Sequence, residues 1–283
     1  MTRLERWVRV AAAAGHFGRD VAFNLHRIEA MVPEAATSNA DLLLLPHGIL
    51  SGYHDHLDVG DDRGESDAGL VGGRRRPLAS PPDLPPAHRL DGPEVGTVAA
   101  VVARAAGPVV CFGMTEDVDG ERANAAGCLG PDGAVVGIHR KVHLPAGEVA
   151  WYRAGGGFAA VATPVGRLGL MVDYDKTFPE SARCLALDGA EVLVCPSAWP
   201  ASRTNRAASP ARDRQRRLFD LYDRARAAEN QLWMVSANQT GRHGEMRFLG
   251  QSKVVRPDGE IVAAAGARAG LAVADIEPAS GVD

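Results

Sequence analysis

The chain has 283 residues, of which 46% are hydrophobic, and this is enough apolar material for a large buried core. The formal net charge is -4, and no basic stripe interrupts the mixture of acidic and basic side chains, which argues against nucleic acid as a partner. The apolar run in MTRLERWVRVAAAAG is too short for a membrane span or a signal peptide, so we expect a cytoplasmic protein without membrane association.

Short apolar segments alternate with amphipathic segments along the chain. WVRVAAAA is typical of a strand, VAFNLHRIEAMVPEAA of a helix and DLLLLP of the next strand. Further strands are predicted for GPVVCFG, AVVGIHRKVHL, GLMVDY, AEVLVCP and LWMVSAN. Residues 212–230 form a predicted helix whose buried face would carry Leu218, Leu221, Tyr222 and Ala225. This alternation predicts one α/β layered domain over residues 1–283.

Residues 54–91 differ from the rest of the chain because they are rich in Gly, Pro, Arg and Asp. We expect a long loop there, with a flexible insertion over residues 57–90. Loops of this length are often lids or binding elements, and simple disorder explains the composition equally well.

The cysteines and lysines are few. Cys111, Cys128, Cys184 and Cys195 form no C-x-x-C pair, and in a cytoplasmic protein they are expected to be reduced and structurally buried. Lysine occurs at three positions only, whereas arginine is abundant, so a lysine within a motif is more informative than usual.

Five segments carry motifs in a fixed order: DLLLLPHGILSGY, NAAGCLGPDGAVVGIHRKVHLP, TPVGRLGLMVDYDKTFPESARCLALDGAEVLVCPSAWP, RARAAENQLWMVSANQTG and FLGQSKVVRPDGEIVAAAG. Together they resemble the nitrilase, or carbon–nitrogen hydrolase, superfamily over nearly the whole chain outside the loop. The resemblance implies an α/β fold, the four-layer αββα sandwich with two sheets face to face. It also implies a homodimer or higher homo-oligomer, a small-molecule substrate and no cofactor.

The resemblance also exposes two departures. The family uses a Glu, Lys and Cys triad, in which a thiolate attacks an amide or nitrile carbon. Lys141 matches the family's lysine, and Glu148 matches an additional acidic residue that many members place beside it. His47 stands at the glutamate position and Asp173 at the cysteine position. Because a carboxylate is a weak nucleophile, we expect no acyl-enzyme chemistry.

These residues still form an ionisable set. Asp173 would orient His47 and raise its basicity, so that the two form a proton-transfer pair. Lys141 would stabilise an oxyanion, with Glu148 as its support. This predicts non-covalent acid–base catalysis on a small amide, amine or imine-type metabolite. The reaction would be hydrolysis of a C–N bond, or its formation or cyclisation in a biosynthetic pathway.

The alternative is a catalytically inactive relative that binds a metabolite or a partner protein. In that case Asp173 would be only an ion-pair partner of Lys141, left behind when catalysis was lost.

Three aromatic side chains, Tyr53, Tyr174 and Trp199, fall in segments that line the pocket of the family, so we predict contact with substrate. Packing in the core would explain them equally well. His54 and His56 suggest a metal cluster with His47, but His-x-His in an exposed loop is usually incidental, and we expect no metal site.

Overall fold

The computed structural model describes residues 7–54, 83–202, 207, 209 and 212–278. The elements in chain order are β1 (Val8–Gly15), α1 (Val21–Thr37), β2 (Leu42–Leu44), α2 (Pro93–Ala105), β3 (Val109–Val118), β4 (Glu121–Leu129), β5 (Val135–Arg140), β6 (Ala160–Thr163), β7 (Gly166–Leu170), a 3-10 helix (Asp173–Thr177), α3 (Pro179–Leu187), β8 (Val192–Ser197), α4 (Arg214–Asn230), β9 (Trp233–Gln239), β10 (Arg242–His243), β11 (Met246–Arg247), β12 (Lys253–Val255), β13 (Ile261–Ala264) and β14 (Gly270–Ile276). Each predicted strand and helix overlaps an observed one.

Twelve strands form two β-layers that meet where the ends of β1 and β9 pair. The first layer has the order β5-β4-β3-β2-β1-β14, and the second has the order β6-β7-β8-β9-β12-β13. The central strands of each layer, β1 to β3 and β7 to β9, are parallel. Parallel strands are commonly buried on both faces, which agrees with their continuously apolar sequences.

The alternation of side chains along β1 shows how the layers stack. Val10 and Ala12 point into an apolar core between the two sheets, whereas Ala11 and Ala13 pack on the outer side with residues of α1 and α2. The outer face of the second layer packs with residues of α3 and α4 in the same way. The predicted αββα sandwich is therefore confirmed.

The buried face of α4 differs from the prediction. Leu221 is 57% exposed, whereas Asp223 and Arg226 are buried. Asp223 accepts a hydrogen bond from the buried ammonium of Lys176, and the Arg226 guanidinium donates to the Lys176 carbonyl. Hydrophobic spacing could not identify the whole of this face, because ion pairs hold part of it beside the apolar contacts of Phe219 and Ala227.

Two further expectations have definite outcomes. Cys111, Cys128 and Cys195 are buried as predicted, but Cys184 on α3 is exposed. Within the predicted insertion, residues 57–82 lie outside the described residues, and residues 83–90 contain no helix or strand beyond an isolated bridge at His88. None of the helices in the described ranges has the length and apolarity needed to cross a membrane.

Candidate functional site

The chain makes a strained turn after β7. Asp173 adopts a φ of 43°, in the left-handed region that residues with a side chain rarely occupy. The carboxylate of Asp175 holds this turn by accepting backbone N–H groups of Val172 (3.1 Å), Val142 (3.1 Å) and His143 (2.9 Å). Strain that is held in place by neighbouring bonds is a common feature of functional sites.

Lys141 follows β5 directly and meets this turn from the other layer. Its Nζ lies 3.0 and 2.9 Å from the two carboxylate oxygens of Glu148 and 3.8 Å from Asp173 Oδ2. The Tyr53 hydroxyl donates to Glu148 Oε1, and Asp173 Oδ1 accepts the backbone N–H of Ala198. The structure therefore brings Lys141, Glu148 and Asp173 together as one buried cluster.

Burial and charge set the protonation of the cluster. Burial raises the pKa of Asp173, although the Lys141 ammonium and the Ala198 N–H oppose this shift. Burial lowers the pKa of Lys141, but the carboxylates of Glu148 and Asp173 outweigh it, and the net shift is upward. Burial also raises the pKa of the Tyr53 hydroxyl. Lys141 is therefore charged and Tyr53 neutral at neutral pH, while Asp173 binds a proton more readily than an exposed aspartate.

The expected pair of His47 and Asp173 is not formed. His47 Nε2 lies 3.1 Å from Asn124 Oδ1, and the structure gives His47 no hydrogen bond or ion pair with Asp173. Burial, together with the Lys141 ammonium, lowers the pKa of His47 to about 3. The ring fits against Gly113, where an added Cβ would lie 2.5 Å from His47 Nδ1. The expected contact between His47 and Asp173 is therefore wrong, because the ring is turned towards Asn124, whereas proton transfer by His47 stays a prediction.

The buried histidines lead to a prediction about acid stability. Burial lowers the pKa of His47 to about 3 and of His54 to about 4, whereas histidine in an unfolded chain titrates near 6.5. Between these values the unfolded chain binds protons that the folded chain does not, so the free energy of unfolding falls as the pH drops below 6.5. We expect a loss of roughly 2 kcal/mol per histidine between about pH 6.5 and pH 5.

Urea unfolding at neutral pH and at about pH 5 measures this loss. His47→Gln retains a partner for Asn124 and should lose less stability on acidification than the wild-type chain. An equal loss in both proteins would contradict the assignment of His47 as a buried neutral group.

A cavity of about 320 Å³ opens onto Asp173 and Lys141. The three aromatic residues predicted to contact substrate all line it, and that contact stays a prediction. Glu148 and His47 lie behind the lining. The remaining lining residues are Pro145, Thr177, Phe178, Ala198, Pro200, Ala201, Ser202, Gln215, Leu218, Tyr222 and Met246.

Sequence reasoning missed the contribution of α4 to this cavity. Leu218 and Tyr222 both line the cavity. They are four residues apart, and this spacing predicted only a buried helix face. The cap of the helix explains how it reaches the cavity: Asp213 accepts the backbone N–H of Gln215 (2.8 Å) and the hydroxyl of Ser202 (3.0 Å). This cap ties the start of α4 to the loop that follows β8.

Among the described residues, the histidines considered as metal ligands belong to no group of three side chains that could hold a metal ion. The His54 ring packs edge-on against Tyr53 and Tyr152, with centroid distances of 4.6 and 5.2 Å. His56 lies outside the described residues. The expectation that the site works without a metal stays a prediction.

Comparison with known proteins identifies the family. The model of the family described as carbon-nitrogen hydrolase matches residues 9–281. A hydrolase in the pqqF 5′ region of Pseudomonas protegens is 34% identical over 262 residues, which cover 91% of this chain and 78% of that protein. N-carbamoylputrescine amidase of Solanum tuberosum is 28% identical over 279 residues, covering 94% and 84% of the two chains.

A solved structure agrees with this result. The carbon-nitrogen hydrolase from Helicobacter pylori G27 superimposes with a TM-score of 0.78 at 23% identity, covering 96% of this chain and 90% of the other. That likeness concerns the fold, whereas the family match extends over nearly the whole sequence. The chain belongs to the carbon–nitrogen hydrolase family.

Proposed function

We propose that the chain hydrolyses a C–N bond of a small amide-type compound by direct attack of water, without a covalent intermediate. One observation carries the proposal: the Asp173 carboxylate sits on a strained turn at the cavity, 3.8 Å from the buried ammonium of Lys141. The names of relatives support the amide-type substrate, since they include N-carbamoylputrescine amidase and deaminated glutathione amidase.

Lys141 and Asp173 form the floor of the cavity, and they offer a ligand one donor group and one acceptor group. The Lys141 ammonium donates one hydrogen bond, to Glu148 Oε1, so N–H groups remain for a ligand. Asp173 Oδ2 accepts no hydrogen bond from the described residues. A carboxamide fits both groups, because its carbonyl oxygen accepts from Lys141 and its N–H donates to Asp173.

The same two groups account for the chemistry. Asp173 takes a proton from water as the oxygen attacks the carbonyl carbon, and its burial-raised pKa makes it a better base than an exposed aspartate. Lys141 stabilises the oxyanion of the tetrahedral intermediate. The C–N bond then breaks, the nitrogen leaves with the proton returned by Asp173, and the products are a carboxylic acid and an amine or ammonia. Glu148 and Tyr53 act through Lys141 as positioning residues.

In this proposal Asp173 replaces the nucleophilic cysteine of the family, and His47 replaces its glutamate. Attack by the carboxylate itself would form a mixed anhydride and is disfavoured. The other thiols do not substitute for the missing one. Burial raises the pKa of Cys195 to about 12, and Cys184 is exposed outside the cavity. Formation of a C–N bond, including cyclisation, would use the same groups in the reverse order.

A panel of primary carboxamides tests the proposal. Ammonia release is measured with wild-type protein, and the intact mass of the protein is recorded after acid quenching. We expect release from at least one amide with no change in protein mass. Lys141→Met removes the partner of the oxyanion and should lower kcat at least about 100-fold.

Two outcomes would contradict this function. A mass increase during turnover would replace direct attack of water by a covalent mechanism. Amide binding without release of ammonia would favour the catalytically inactive relative.

A further inference from the structure

The wall of the cavity above its polar floor carries aromatic and aliphatic side chains from three segments. Tyr174 and Phe178 come from the turn after β7, Trp199 from the loop after β8, and Leu218 and Tyr222 from α4. Leu218 and Tyr222 pack against the core cluster of Trp199, yet both remain only partly buried. They therefore present apolar surface to the cavity, which a ligand would cover.

One polar group of this wall has its partner within the protein. The Trp199 indole N–H donates to Gln215 Oε1 at 3.1 Å, so neither atom depends on a ligand. Among the described lining residues, only Lys141 and Asp173 are charged, and both belong to the floor. The described wall therefore offers no counter-ion for a charged group.

We propose that the substrate carries a neutral, apolar and flat arm, and that Leu218 and Tyr222 select it. This inference rests on the proposed function, which places a carboxamide on the floor. A ring held against the wall removes apolar surface from water, whereas a charged arm would lose its hydration without gaining a counter-ion from the described wall. A cavity of about 320 Å³ is at the small end for ligand sites, which suits a carboxamide with one ring.

A series of four amides separates the contribution of the arm from that of the head group. Phenylacetamide has a neutral ring, acetamide has no arm, succinamate has an anionic arm and β-alaninamide has a cationic arm. Isothermal titration of the full-length chain is expected to show phenylacetamide binding at least about tenfold more tightly than each of the other three, which is the scale of burying one apolar group.

Two matched variants locate this selectivity. Leu218→Asp places a carboxylate on the wall and should weaken phenylacetamide binding at least about tenfold, with a much smaller effect on acetamide, which has no arm. Leu221→Asp makes the same change on the same helix at a residue that is 57% exposed and does not line the cavity. This control should bind all four amides like the wild-type chain.

The result can overturn the inference independently of catalysis. If acetamide or either charged amide binds as tightly as phenylacetamide, or if phenylacetamide shows no binding, the inference is wrong. Ammonia is assayed separately on the same samples. Selective binding without ammonia would leave the inference standing and remove the proposed function, whereas ammonia release without selectivity would do the opposite.

Discussion

Asp173→Asn is expected to lower kcat by about 1000-fold, within the range that a positioned general base contributes. The amide side chain keeps the shape of the carboxylate and retains an oxygen for the Ala198 N–H, but it cannot accept a proton from water. Binding of the substrate should also weaken, because the side-chain NH2 then faces the N–H of the carboxamide, but by less than the fall in kcat. The measurement is steady-state kinetics with the best amide from the carboxamide panel.

The same variant should be more stable than the wild-type chain at neutral pH. Because burial raises the pKa of Asp173, the folded chain binds a proton more readily than the unfolded chain does, and the ionised carboxylate lowers the free energy of unfolding as the pH rises. The gain in stability should disappear in acid, where the Asp173 carboxylate is protonated in both the folded and the unfolded chain. A gain in stability with a loss of activity is typical of a functional site.

Asp275→Asn is the control, since Asp275 is half-exposed and pairs with Arg9 on the far strands β14 and β1. It should change neither kcat nor the stability at neutral pH by much. If Asp173→Asn kept a tenth or more of the wild-type kcat, the carboxylate would not be the base. A function in cells that survives Asp173→Asn would support a binding role.

Lys176→Met is expected to destabilise the chain by about 4 kcal/mol, the scale of breaking a buried ion pair. Lys176 is fully buried and donates to Asp223 Oδ1 at 2.8 Å and to Ser236 Oγ at 3.2 Å. Its Nζ also lies 3.4 Å from the ring centroid of Phe219. Methionine fills much of the space but leaves the Asp223 carboxylate with Lys253 as its remaining ammonium partner, at 3.2 Å.

Urea unfolding and the melting temperature measure this effect, and a fall in Tm of about 10 °C is expected for a chain of this size. The double variant Lys176→Met with Asp223→Leu should be less destabilised than the sum of the two single variants, because it removes both members of the pair. Arg153→Met is the control: its ion pair with Glu121 is exposed and should contribute little. An equally small effect of Lys176→Met would show that the buried pair is dispensable.

All three lysines of the chain are at most 1% exposed, so each one is a buried charge with a defined partner. The sequence predicted a special position for Lys141 from its motif. It held no comparable signal for Lys176 and Lys253, whose shared partner Asp223 is 47 and 30 residues away from them. A pair at such a separation forms only when the helix and the strands have packed together.

Seven of the strands and the helices α1 and α4 were predictable from the sequence, and the family resemblance implied the αββα fold. Apolar periodicity and motif spacing are local properties, and they determine which segments become strands and where each strand ends. Lys141 and Glu148 were assigned from the family resemblance of the segment around β5, and the structure brings the two side chains together.

Only the tertiary structure decided what each side chain faces. It turned His47 towards Asn124 instead of Asp173, exposed Leu221 and Cys184, and placed Leu218 and Tyr222 on the wall of the cavity. The physical reason is that the free energy of a buried polar or charged group depends on the partner that meets it across the packed layers. The composition of one segment and the spacing of its residues do not identify that partner.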